Sequence, residues 1–191
     1  MATFDRDAAW ALLTEFTTNP SLIKHALGVE VAMRAYAEHQ GHDPDEWGIV
    51  GLIHDFDYEQ NPTEETHLHA GCAILRDRGW PEALVGAVAS HADYMGVARD
   101  TPMKKTLFAV DELSGFLTAC ALVRPDKAIA EVKVKSVKKK LKDKAFARGV
   151  NRDDVRRGAE ELGVDLGEHI EFVRDAMARI ADQLELPPVG S

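Results

Sequence analysis

Within its first 111 residues the chain places His25, the adjacent pair His54-Asp55, His67, His69, His91 and Asp111. Imidazole nitrogen and carboxylate oxygen are the mixed donor set that borderline divalent metals accept, iron, manganese, cobalt and zinc among them. Cys72 and Cys120 sit in apolar stretches and form no CxxC, which argues against a structural zinc knot. The pattern therefore points to a catalytic metal centre with open positions for water and substrate. Taken singly, a histidine on a helix is more often an ordinary core or surface side chain. Taken together, the residues are more specific. His54-Asp55 closes an apolar helix, and an unpartnered carboxylate there loses its solvation unless a cation restores it. Asp111 stands in the apolar run 107–122 and raises the same demand, with a salt bridge to an arginine such as Arg124 as its other outlet.

The elements that must carry these residues read as helices, because apolar side chains recur at three- and four-residue steps and no sustained two-residue alternation appears. The expected fold is all-α, a single compact helical bundle. A first helix is expected over 4–16. A second, capped by Ser21, carries Leu22, Ala26, Val29, Met33 and Tyr36 on one face, and His25 shares that face. Asp43-Pro44 is a cap followed by a proline at the first helical position, so a third helix runs through Trp47, Val50 and Leu52 into His54. After the polar stretch 57–66, a fourth helix is expected over 67–78 before Gly79. A fifth follows Pro81 over 82–91, and a sixth follows Pro102 and carries Leu107, Val110, Asp111, Leu113 and Phe116. Beyond Pro125 the lysine-rich stretch 133–144 reads as an amphipathic helix with a basic outer face, and two acidic amphipathic segments, 153–162 and 168–184, follow it. In domain terms, residues 1–191 are expected to be one domain, with a metal-binding core at 20–120 and a C-terminal helical extension at 125–191 packing on it.

The chain has 191 residues, 45% of them hydrophobic, enough for a sizeable core. Its 23 basic residues face 32 acidic ones, for a formal charge of -9, which disfavours a long nucleic acid or an anionic membrane as partner. No segment approaches the roughly 18 apolar residues that span a bilayer, and the N-terminus has no long apolar run. With reduced thiols, these features imply a cytoplasmic protein acting on a small anionic substrate. Oligomeric state stays open, because Ile170, Val173, Met177, Ile180 and Leu184 could close the core or pair with another subunit.

The order His25, His54-Asp55, Asp111 resembles the HD superfamily of metal-dependent phosphohydrolases over about residues 20 to 120. His67-Leu-His-Ala-Gly71, with Ala73-Ile-Leu75 after it, resembles that family's H-x-x-x-G step. Ala87-Val-Ala-Ser-His91 resembles its next helix ending in histidine, and Lys105-Thr-Leu-Phe-Ala-Val-Asp111 the stretch before its last aspartate. The two extra histidines resemble the dinuclear branch, which includes cyclic-dinucleotide phosphodiesterases of the HD-GYP type and hydrolases of diadenosine tetraphosphate. The resemblance implies two divalent ions per chain, of iron, manganese or another transition metal. One would be held by His25, His54, Asp55 and Asp111. The other would be held by His67, His91 and the second oxygen of Asp55. Asp55 and His54 would be catalytic, with a hydroxide between the ions as nucleophile on a small phosphate ester or anhydride, nucleotide-like or another phosphorylated metabolite.

His67 is preferred to His69 as ligand for its spacing to Gly71. Two residues of helix turn a side chain by about 200°, so only one of the pair can face the site. His69 is left to substrate or solvent. The family's H-D-I-G-K run reads here His54-Asp55-Phe56-Asp57-Tyr58, without the lysine that helps hold phosphate. Lys105, Arg76 and Arg99 are the cations that could replace it, and His69, Lys105, Tyr58 and Arg76 are the substrate-binding candidates. Lys105 sits about 9 Å along the helix axis and some 120° round from Asp111. Asp57 and Glu59 either orient ligand imidazoles or are solvated carboxylates. Two other classes stay in view: a di-iron oxygenase of the HD type, and a non-catalytic metal- or ligand-binding regulatory module.

Overall fold

A computed structural model describes residues 4–187. Among them the regular structure is nine α-helices, two short 3-10 helices (Asp93–Met95 and Ile129–Glu131) and no strand, as the helical period requires. The chain divides into two compact units, Met1–Phe108 and Ala109–Ser191.

In the first unit, α1 (Arg6–Phe16) begins where the Asp5 carboxylate accepts the Ala8 N–H, so the helix starts two residues after the expected Phe4. Helix α2 (Pro20–Gln40) is capped by Asn19 rather than Ser21. Pro20 fits the first helical position because it lacks an N–H there, and the Asn19 side chain accepts the Ser21 N–H. Helix α3 (Pro44–Ile53) starts on Asp43 as its sequence dictates. Its packing on α2 is close: a Cβ at Gly51 would sit 3.0 Å from Glu30 Cα and Val29 O. The Glu30 carboxylate buried beside this contact is answered by Arg6 at 2.6 Å and Arg34 at 3.1 Å. Val29, Met33, Val50, Ile53, Phe56, Leu68, Leu75 and Val85 fill the core of this unit. Helices α4 (His69–Asp77) and α5 (Glu82–Ala89) complete it, with the start of α6 (Pro102–Leu122). Both α4 and α5 are shorter than expected. The first begins only after Leu68, held at φ 62, and the second stops before Ser90 and His91.

The second unit contains the rest of α6 with α7 (Val134–Lys140), α8 (Arg152–Leu162) and α9 (Leu166–Ala178). The lysine-rich helix is 7 residues long and stops at Lys140, short of the expected end at 144, and residues 141–150 turn instead. Its apolar side is buried through Val137 and Leu141, while Lys135, Lys138 and Lys139 face solvent. Ile170, Val173, Met177 and Leu184 are buried, so they close the core of this unit. Buried His169 donates from Nε2 to the Ala109 carbonyl at 2.8 Å, and burial lowers its pKa to about 4. Cys72 and Cys120 are buried free thiols whose pKa values burial pushes up to about 11. Among the described residues no helix is long and apolar enough to cross a membrane.

Candidate metal centre

The site in the first unit is built at the end of α3. There the His54 ring turns its Nδ1 to the Gly51 carbonyl at 2.8 Å. A carbonyl only accepts, so Nδ1 carries the proton, and Nε2 of the neutral ring is a bare lone pair. That lone pair faces Asp55 Oδ2 at 3.4 Å. His91, just past α5, repeats the arrangement: Nδ1 donates to the Val88 carbonyl at 2.7 Å, and Nε2 stands 3.1 Å from Asp55 Oδ1. His67 Nε2 is 3.1 Å from the same oxygen. His25, on the inward side of α2, brings its ring to 5.2 Å from that of His54.

Three imidazole nitrogens thus converge on one carboxylate, all of them acceptors in their neutral state. Such a set repels itself unless a proton or a cation occupies the space between the lone pairs. Burial works against ionisation of Asp55. Where protons occupy those nitrogens, the charge of His54 and hydrogen bonds from His54, His67 and His91 overcome it and hold the carboxyl well below the usual carboxylate range. His67 answers from the other side: burial opposes its charge, but Asp55 and Asp57 raise its pKa to about 9. The ligand atoms of His25, His54 and Asp55 lie within 4.8 Å of one another, and so do those of Asp55, His67 and His91. Asp55 is shared by both groups. This donor chemistry fits a divalent metal, because a cation can replace the protons that the apposed acceptors otherwise need.

His67 and His69 separate for a backbone reason. The positive φ of Leu68 breaks the chain from α4, so His67 stands before the helix and is buried, while His69 opens the helix and is exposed. The break is held by Asp57, which is fully buried. Its Oδ2 accepts the Leu68 and Gly71 N–H groups at 3.1 Å each, and its Oδ1 lies 3.1 Å from His67 Nδ1. Asp57 therefore fixes which His67 nitrogen points at Asp55. Gly71 has its own reason: a Cβ there would come within 2.7 Å of Asp57 Oδ1. The sequence left Asp57 level with a solvated carboxylate, and its only signal was the two-residue offset from His54-Asp55. Glu59 does other work, since it accepts from Thr18 N, Thr18 Oγ1 and Asn19 N at the start of α2.

Around the cluster, Tyr58 meets the His67 ring edge-on at 5.2 Å, and the His69 and Tyr94 rings stand 6.4 Å apart. Both tyrosines are partly exposed, at 39% and 38%. Burial, then the charges of Asp55 and Asp57, raise the Tyr94 pKa, so its hydroxyl stays neutral. Arg76 is engaged by Glu82 at 2.6 Å, and Arg99 by Asp93 at 2.8 Å. Lys105 is half-buried on the first-unit part of α6. Asp111 is half-buried farther along that helix, in the second unit, where Arg124, the alternative partner considered for it, pairs with Asp126 at 2.8 Å.

The HD domain family matches the chain over residues 22–115. No curated protein and no solved structure matches it.

Proposed function

We propose, on the premise that this chain belongs through residues 22–115 to the HD superfamily of metal-dependent phosphohydrolases, that it hydrolyses a small phosphate ester or anhydride, nucleotide-like in character. The observation that carries the proposal is the convergence of three imidazole Nε2 atoms on Asp55 while the Nδ1 atoms of His54 and His91 are spent on backbone carbonyls. In this reading His25, His54, Asp55 and Asp111 hold one ion. Asp55, His67 and His91 hold a second. Support for Asp111 comes from its place within the matched residues 22–115, where it resembles the family's last aspartate. Divalent ions so bound acidify water and neutralise charge that builds on a phosphoryl group.

The protein's own contribution is placement. Asp55 offers one oxygen to each ligand group, Asp57 locks the His67 ring, and the α3 and α5 carbonyls lock His54 and His91. Tyr58, against the His67 ring, and His69, beside Tyr94, contact substrate in this reading, and Lys105 supplies positive charge in place of the lysine that Tyr58 replaces. Arg76 reaches substrate only by giving up Glu82.

The deciding experiment is metal content per chain on protein purified without chelator and without air, beside a His67→Ala, His91→Ala double variant. About two ions in the parent and about one in the variant support the reading and direct a screen of nucleotides and phosphorylated metabolites. One ion or fewer, unchanged by the double substitution, removes the second group. Iron in the parent adds an oxygen-consumption assay, which separates hydrolysis from an oxidative reaction.

A further inference from the structure

Helix α5 ends at Ala89, and the next carbonyl along the chain, Ser90 O, receives Arg99 Nη1 at 3.2 Å. The same Nη1 donates to Asp93 Oδ1 at 2.8 Å. On its other side the guanidinium carbon lies 3.8 Å from the Phe108 ring centroid, a cation–π contact, and the Arg99 side chain is only 12% exposed. Nη1 is therefore spent on holding structure. What it holds is the segment between its two anchors. His91 and Ala92 lie between Ser90 and Asp93, and Tyr94 comes next.

We propose that Arg99 is a positioning residue for the second metal group: by tying Ser90 O to Asp93 it fixes the exit of α5, keeps His91 Nε2 at Asp55 Oδ1, and so sets the affinity for the ion shared by Asp55, His67 and His91. The proposal rests on the dinuclear reading above. Its chemistry is specific to arginine because the nitrogen that serves both Ser90 O and Asp93 belongs to a planar group whose face covers the Phe108 ring. An ammonium supplies the charge without the plane.

The test titrates chelator-treated protein with Co(II), read by the visible absorption of bound cobalt, in the parent and in Arg99→Lys, Arg99→Ala and Asp93→Asn. Far-UV circular dichroism and thermal melts are run alongside. The expected result is two Co(II) sites in the parent and a selective weakening of one of them, by roughly 10–100-fold, in both Arg99 variants. The other site should stay within about twofold, and Asp93→Asn should fall between parent and Arg99→Ala, a partial ordering that follows from Ser90 O keeping its donor. If Arg99→Ala does not fold, Arg99→Lys and Asp93→Asn decide the question. Two parent sites with both unchanged in the folded variants overturn the role of Arg99 alone, and so does parallel weakening of both sites with a lowered melt, which is the signature of general destabilisation. A parent that takes one Co(II) overturns the dinuclear reading, and the proposal falls with it.

Discussion

At the residue scale the site is decided by where protons sit. His54 and His91 each give Nδ1–H to a carbonyl of their own helix end, which turns Nε2 inward whatever else is bound. His67 has no such carbonyl and depends on Asp57. An Asp57→Asn variant keeps the side chain's size but loses the negative charge facing His67 Nδ1. Affinity for the second ion should fall roughly 10–100-fold, measured by competition with a chromophoric chelator. An unchanged affinity would show that packing alone orients His67. His69 makes the contrast: His69→Ala should leave metal content as it is, whereas His67→Ala should lower it by one ion per chain in elemental analysis.

At the element scale, glycines mark where backbones and carboxylates come too close for a Cβ. Gly71 leaves room for the Asp57 carboxylate between the His54-Asp55 turn and the start of α4. Gly158, on α8, leaves room for α6, since a Cβ there would stand 2.6 Å from Ala109 Cα. Backbone cannot swing aside as a flexible side chain can. Gly158→Ala should therefore destabilise the protein by about 1–3 kcal/mol in urea unfolding while leaving the metal ligands of the first unit bound. Gly71→Ala should do the reverse in kind, with metal affinity at the second group suffering more than overall stability. Equal effects of the two substitutions on metal affinity would contradict this division of labour.

For the whole molecule, pH and metal act on stability through different groups. His169 has a pKa of about 4 against an ordinary 6.5. Above pH 6.5 it is neutral folded or unfolded and contributes nothing. Between pH 6.5 and about 4 the unfolded chain takes up a proton that the folded one refuses, so stability falls as pH drops through that window, by on the order of 3 kcal/mol. His169→Gln keeps a donor for Ala109 O but cannot titrate, and its urea-unfolding free energy should lack this component of the acid slope. Metal should act upward. A divalent ion at 100 times its Kd adds about 2.7 kcal/mol per site that exists only in the folded chain, a rise of roughly 5–10 °C in Tm by differential scanning calorimetry. A chelator should reverse it, and a Tm indifferent to both would count against the metal centre.

Much of this was readable from the chain because it depends on neighbours in sequence. Helical period fixes the all-α class, Asp43-Pro44 fixes the start of α3, and the donor chemistry of His25, His54, Asp55, His67 and His91 belongs to the residues themselves. Local signals also misled where two competed. Asn19-Pro20-Ser21 offers two capping side chains, and the proline at the first helical position gave the cap to Asn19. What the tertiary structure alone decided was the burial of His67 beside an exposed His69, the inward turn of Asp57, and the engagement of Arg99 with Ser90, Asp93 and Phe108. Each depends on a group arriving from elsewhere in the chain. Leu68 tolerates its positive φ because its N–H, like that of Gly71, is received by a buried carboxylate eleven residues or more away. No periodicity encodes such a contact, since it exists only once the helices have packed.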